Sequence, residues 1–99
     1  MKRGVCKNIL FNHAMKLIKD KKVIVIDVRE KNESSCNQTL EGSINIPISE
    51  LVKRIREVVP NREQPILVYC ATGSRSIFAC QILADFGYTM VYNLQGGIR

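Results

Sequence analysis

The chain has 99 residues, 45% of them hydrophobic and 24% charged, and carries a net charge of +6 from 15 Lys and Arg against 9 Asp and Glu. That length supports one domain over residues 1–99, with roughly 60–65% of the unfolded chain's surface buried, and the composition is that of an ordinary globular protein. No apolar run approaches the roughly 18 residues of a membrane span, and no apolar stretch with a small-residue cleavage site follows the basic start Met1–Asn8, so no membrane association and a cytoplasmic location are expected.

In chain order, Phe11, Ala14, Met15 and Ile18 form one apolar stripe at helical spacing, with Asn12 available as a cap. His13 lies off that stripe and is expected to face solvent. Val23-Ile24-Val25-Ile26 is continuously apolar and β-branched, as a strand buried on both faces should be. The chain then turns polar at Asp27-Val28-Arg29-Glu30, and Lys31 to Thr39 reads as a loop. Ile44-Asn45-Ile46 reads as a short strand stopped by Pro47. Ser49 is the predicted cap of a helix carried by Leu51, Val52, Ile55, Val58 and Val59 and ended by Pro60. A second buried-type strand, Ile66-Leu67-Val68-Tyr69, precedes a helix from about Ser74 to Phe86, with Gly87 at its C-terminal end. A last strand, Met90-Val91-Tyr92, leads into Asn93-Leu94-Gln95-Gly96-Gly97.

Alternating helices and strands of this kind predict an α/β fold with a mainly parallel sheet covered on both faces. Ligands of such sheets bind beyond the carboxyl ends of the strands. That rule selects the polar stretch after Ile26 and, above all, the stretch after Tyr69. There Cys70-Ala71-Thr72-Gly73-Ser74-Arg75-Ser76 joins a buried strand to a helix through small residues. The backbone N–H groups of such a loop can curl around the sulfur, and the helix N-terminus adds partial positive charge. Gly73 permits backbone angles closed to other residues, and Arg75 supplies a permanent cation. All of this favours thiolate, the nucleophilic form. The competing reading is that Cys70 is a small buried hydrophobe at a strand end. By itself, the loop does not separate sulfur transfer from phosphate-ester or arsenate chemistry.

Four cysteines could form two disulfides, but with no secretory signal and enough apolar residues for a core that needs no staples, disulfides are not expected, and Cys6, Cys36 and Cys80 are read singly. Cys80 falls on the apolar face of its helix and is expected in the core, and Cys6 is expected to be frayed or bound at an edge. Cys36 lies in the polar loop, as a surface thiol or as a resolving thiol for an adduct on Cys70. No metal site and no cofactor are expected, since no Cys-x-x-Cys occurs and His13 has no cysteine at zinc-ligand spacing. The basic residues are scattered (Lys19, Lys21 and Lys22 near one turn, and Lys53, Arg54 and Arg56 on one predicted helix), and aromatics make up only 6%. Nucleic-acid binding is therefore not expected, whereas a basic surface can steer small anions.

Four segments resemble the rhodanese homology domain, specifically its small single-domain members, across nearly the whole chain. Val23–Glu30, "VIVIDVRE", is similar to the family's strand ending in Asp-Val-Arg. Glu41–Pro47 resembles the end of its Gly-His-Ile-Pro-Gly-Ala-Ile-Asn-Ile-Pro segment. Ile66–Ser76, "ILVYCATGSRS", resembles its active-site strand and loop, and Val91–Ile98, "VYNLQGGI", its closing motif. Two departures stand out. Gln38-Thr39-Leu40-Glu41 replaces Gly-His-Ile-Pro, and the chain stops at Arg99, where many members continue into a last helix. One side of the sheet is accordingly expected to be thinly covered.

The resemblance implies a three-layer α/β/α architecture with a mostly parallel sheet of about five strands. It also implies a sulfurtransferase with Cys70 as nucleophile and Ala71, Thr72, Gly73, Ser74, Arg75 and Ser76 as the substrate-binding loop. Asp27 and Arg29 are then a supporting ion pair. Cys70 would take a sulfane sulfur from a small anionic donor, such as thiosulfate, polysulfide or a persulfide, and pass it to cyanide, a thiol or a protein acceptor. Arg75 would bind the donor's anionic part or brace the loop. Phosphatase and arsenate-reductase relatives use Cys-x5-Arg, whereas the spacing here is Cys70-x4-Arg75, a smaller cradle. The alternatives are a non-catalytic adaptor module and, behind it, an arsenate-reductase or phosphatase-like enzyme.

Overall fold

The computed structural model describes residues 3–36 and 38–98. Arg99, the last residue, lies outside them. The elements in order are β1 (Val5–Ile9), α1 (Phe11–Lys19), β2 (Ile24–Asp27), α2 (Lys31–Cys36), β3 (Ile44–Asn45), α3 (Leu51–Val58), β4 (Ile66–Tyr69), α4 (Ser74–Asp85) and β5 (Met90–Leu94). The strands form one sheet in the order β1-β5-β4-β2-β3, and every pairing is parallel. The fold is α/β.

The apolar strands lie where the pattern demands. β4 is buried along its whole length between β5 and β2, which is why it has no polar alternate positions. Because side chains alternate across a sheet, Ile66, Val68 and Cys70 join Leu51, Ile55, Ala79, Cys80 and Leu83 in a core under α3 and α4. Leu67 and Tyr69 point the other way, into a core shared with Ala14 of α1, Val25 and Leu94.

One strand goes unannounced in the sequence, and several local expectations are corrected. β1 carries no buried-strand signature, since Val5, Lys7 and Asn8 are exposed on an edge that pairs with β5 alone. Lys31–Cys36 is a short helix rather than loop, although none of its residues is buried; Asn37 lies outside the described residues. α1 starts at Phe11 with Leu10 in the capping position and no side-chain cap, so Asn12 does not serve as one. Of the predicted stripe only Ala14 is buried, and Phe11 remains 50% exposed. Ser49 sits inside a 3-10 turn, Ile48–Glu50, that runs into α3 without a side-chain cap. β3 ends at Asn45, one residue short of the predicted strand.

Cys6 and Cys80 are joined by a disulfide that ties the edge strand to α4, with Cα atoms 5.6 Å apart. Cys80 is in the core as expected, and Cys6 lies on the edge strand, the second of its two expected placements; the bridge between them is not what the sequence leads one to expect. The Cys80 sulfur also lies 3.4 Å from the Val91 carbonyl, an acceptor that only the reduced thiol could use.

Candidate active site

The chain leaves β4 at Tyr69, places Cys70 fully buried at the carboxyl end of the sheet, and enters α4 at Ser74. The turn between them depends on Gly73, whose φ of +92° belongs to the left-handed region. This brings backbone N–H groups back toward the sulfur. Gly73 donates to Cys70 Sγ at 3.0 Å and Ser76 at 3.4 Å. The Ser76 hydroxyl is buried and makes no hydrogen bond of ordinary geometry, but it lies near enough to the sulfur to favour its anion. Burial alone would push the Cys70 thiol up; the Ser76 hydroxyl and the N–H groups of Ser76, Thr72 and Gly73 outweigh it and hold the thiol below its usual range. The first turn of a 12-residue helix adds its dipole in the same sense. Thr72 and Ser74 join hydroxyls at 3.0 Å on the exposed side of the loop.

The closing double glycine forms the wall behind the loop. Gly97 has a φ of +70°, and a Cβ there would collide with the Ala71 carbonyl. Ile98 N–H donates to the Cys70 carbonyl at 3.2 Å, which locks the wall to the base of the loop.

Asp27 and Arg29 form a buried ion pair, with Arg29 Nη2 2.8 Å from Asp27 Oδ2 and the Arg29 backbone N–H 3.0 Å from Oδ1. Burial raises the Asp27 carboxyl, but the hydrogen bonds and charge of Arg29 prevail and leave it lowered. Asp27 stands beside Tyr69 in the register of β2 and β4, so the two share a sheet face. Cys70 points to the opposite face. The Arg29 guanidinium lies 5.6 Å from the Tyr69 ring centroid and donates to the Gln38 carbonyl at 3.1 Å. Tyr69, read from the sequence only as the end of a buried strand, donates its hydroxyl to Ser43 at 3.0 Å and accepts the Leu40 N–H at 3.1 Å. This network pins the segment carrying Gln38-Thr39-Leu40-Glu41 to the sheet without a histidine or proline.

Arg75 is not open to solvent as a lone cation. Its Nη1 and Nη2 meet Glu33 Oε1 and Oε2 at 2.6 and 2.8 Å, which joins the loop to α2. Glu33 Oε1 also accepts the Glu30 N–H at 3.0 Å, capping the helix it belongs to. The Arg75 hydrogen bonds drive the Glu33 carboxyl down to about 2. Sequence reading misses Glu33 because it lies in a segment taken for loop, 42 residues from its partner. The signal available was Glu30-x-x-Glu33 at capping distance.

Cys36 is exposed at the end of α2, and Cys36 and Cys70 are both free thiols. A separate groove of about 450 Å³, lined by His13, Lys16, Leu17, Val23, Pro65 and Tyr92 among others, contains no cysteine and opens along α1 rather than on the Cys70 loop.

Comparison with known proteins bears on the family and the fold. The family model described as "Rhodanese-like domain" matches residues 11–99. Protein YqhL of Bacillus subtilis is 40% identical over 79 residues, covering 80% of this chain, which spans only 60% of that relative. The thiosulfate sulfurtransferase PspE of Escherichia coli is 39% identical over 74 residues, covering 75% of this chain and 69% of that protein. Among solved structures, the human single-domain sulfurtransferase TSTD1 superposes with a TM-score of 0.83 at 25% identity, covering 93% of this chain and 91% of that one.

Proposed function

Since the chain belongs to the rhodanese-like domain family, we propose that it is a sulfurtransferase of rhodanese type, one domain over residues 1–99, with Cys70 as its sulfur carrier. The observation that carries this reading is the sulfur itself. Cys70 Sγ sits at the head of α4 and receives the N–H groups of Gly73 and Ser76 at 3.0 and 3.4 Å. A relative of E. coli named as a thiosulfate sulfurtransferase supports the same chemistry.

In the first step the Cys70 thiolate attacks the outer sulfur of the donor. The S–S bond of thiosulfate breaks, sulfite leaves with the electron pair, and Cys70 holds a persulfide. With an organic hydropersulfide the leaving group is instead a thiolate. In the second step the acceptor attacks the terminal sulfur, cyanide becoming thiocyanate, and Cys70 returns as thiolate. This is covalent catalysis with two half-reactions, and its rate follows the nucleophile's thiolate fraction and the leaving group's acidity. The N–H groups of residues 71–76 stabilise the anion on whichever sulfur carries it, and Asp27 and Arg29 brace the neighbouring segment from the other sheet face. A thiol or protein acceptor and a cytoplasmic setting belong to the same reading. Among the described residues no helix is long and apolar enough to cross a membrane. In a reducing compartment Cys6 and Cys80 would stand as thiols, with Val91 O ready to accept from Cys80.

Intact mass after incubation with thiosulfate or polysulfide tests the proposal, in a Cys36→Ser background so that the exposed second thiol is absent. A gain of one sulfur atom, reversed by cyanide and missing in Cys70→Ala, is the expected result. No gain with either donor would sink the sulfurtransferase reading in favour of an adaptor module.

A further inference from the structure

The cation of the Cys70 loop, Arg75, does not stand alone but is paired with a carboxylate. Arg75 occupies the second position of α4, within the loop that wraps the sulfur, and is close enough to be stabilised by a charge on Cys70. Both of its terminal nitrogens are held by the Glu33 carboxylate at 2.6 and 2.8 Å. That carboxylate is positioned in turn by the Glu30 N–H at 3.0 Å, so it is fixed from two sides. The carboxylate offsets the guanidinium's charge, and among the described residues the hydrogen bonds to the sulfur come from backbone N–H groups at a helix N-terminus. These suit the single negative charge of a terminal sulfur. They offer no free cation to a donor that brings a second charge on its sulfonate, as thiosulfate does.

We propose that Glu33 is a specificity-determining residue: by occupying Arg75 it withholds the loop's cation from the donor and turns the site from dianionic thiosulfate toward organic persulfides. This rests on Cys70 being the sulfur carrier. Glu33 acts through Arg75 and is a positioning residue, since nothing places it on the reacting sulfur. The pair persists across the working pH range, because the Glu33 carboxyl titrates only at about 2. Arg75 stays charged throughout.

Steady-state sulfur transfer to cyanide tests this, with thiosulfate and with 2-hydroxyethyl persulfide as donors, on wild type, Glu33→Gln, Glu33→Asp and the Glu33→Gln/Arg75→Gln double variant. Glu33→Gln is expected to raise the ratio of kcat/KM for thiosulfate over the persulfide by about tenfold, as one charged hydrogen-bond partner gained at the donor would. The change should lie in the KM for thiosulfate rather than in kcat. Glu33→Asp, which keeps the charge, is expected to return the ratio toward wild type, and the double variant to lose the gain. A Glu33→Gln enzyme that loses both donors in proportion would overturn the proposal and leave Glu33 as a brace between α2 and the loop. So would a gain that survives without Arg75. A wild type that takes sulfur from neither donor overturns the transfer reading first, and this inference with it.

Discussion

Cys70 owes its character to a contest between two effects of the same location. Full burial at the end of β4 disfavours the thiolate, whereas the N–H groups of Gly73 and Ser76 on the sulfur favour it, and the hydrogen bonds prevail. The sign for stability follows. A group whose pKa is depressed by folding stabilises the native state above its unfolded value, and that contribution is lost as pH falls through the folded value. Alkylation of Cys70 by iodoacetamide should therefore show a pH midpoint below the ordinary cysteine value of about 8.5. Peptide mapping separates Cys70 from the exposed Cys36. A Cys70 midpoint at or above the ordinary value would mean that burial, not the cradle, governs the sulfur.

At the scale of elements, the site is a junction of chain segments that must approach closely. The turn after β5 lies against the loop after β4, and the contact depends on the missing side chain at Gly97. An alanine there would face two penalties. Its left-handed backbone costs about 1–2 kcal/mol, and its Cβ would displace the Ala71 carbonyl. Gly97→Ala is expected to lower the denaturant midpoint and to cut sulfur transfer by about tenfold or more, since small misplacements of a reacting atom are that costly. A variant with full activity would show that the wall can retreat without disturbing the sulfur. α2 is the other junction. A helix of 6 residues, none of them buried, has little packing to hold it and is marginal on its own. Its attachment to α4 through Glu33 and Arg75 compensates for that.

For the whole molecule, the sheet order places β1, first in sequence, at the outer edge against β5, last in sequence. Five parallel backbone pairings join the two strands, and the Cys6–Cys80 bridge links residues separated by 74 positions. In a chain-entropy account a closed loop of that size contributes up to about 4 kcal/mol. Adding a reductant is expected to lower the melting temperature of the protein, and Cys6→Ser to make it insensitive to reductant. The measurement is a pair of thermal scans in the Cys36→Ser background, with free thiols counted in each. An unchanged melting temperature after complete reduction would assign the edge strand's stability to its β5 pairing and to the core alone.

Much of this protein is local and therefore readable from the chain. The buried strands β2 and β4 show as unbroken apolar runs because both of their faces are covered, and the Cys70–Ser76 loop shows as small residues between a strand and a helix. Both follow from neighbouring residues, as does the α/β class. What tertiary structure decided depends on partners distant in sequence. β1 is a strand only because β5 arrives beside it; its own residues are mostly exposed and give no alternation. The polar segment Lys31–Cys36 becomes helical with no apolar stripe to announce it, and Arg75 becomes a paired cation because the fold brings up a carboxylate 42 residues away. Cys6 finds Cys80 for the same reason. Hydrophobic burial leaves a periodic trace along the sequence, while an ion pair or an edge pairing between remote residues leaves none.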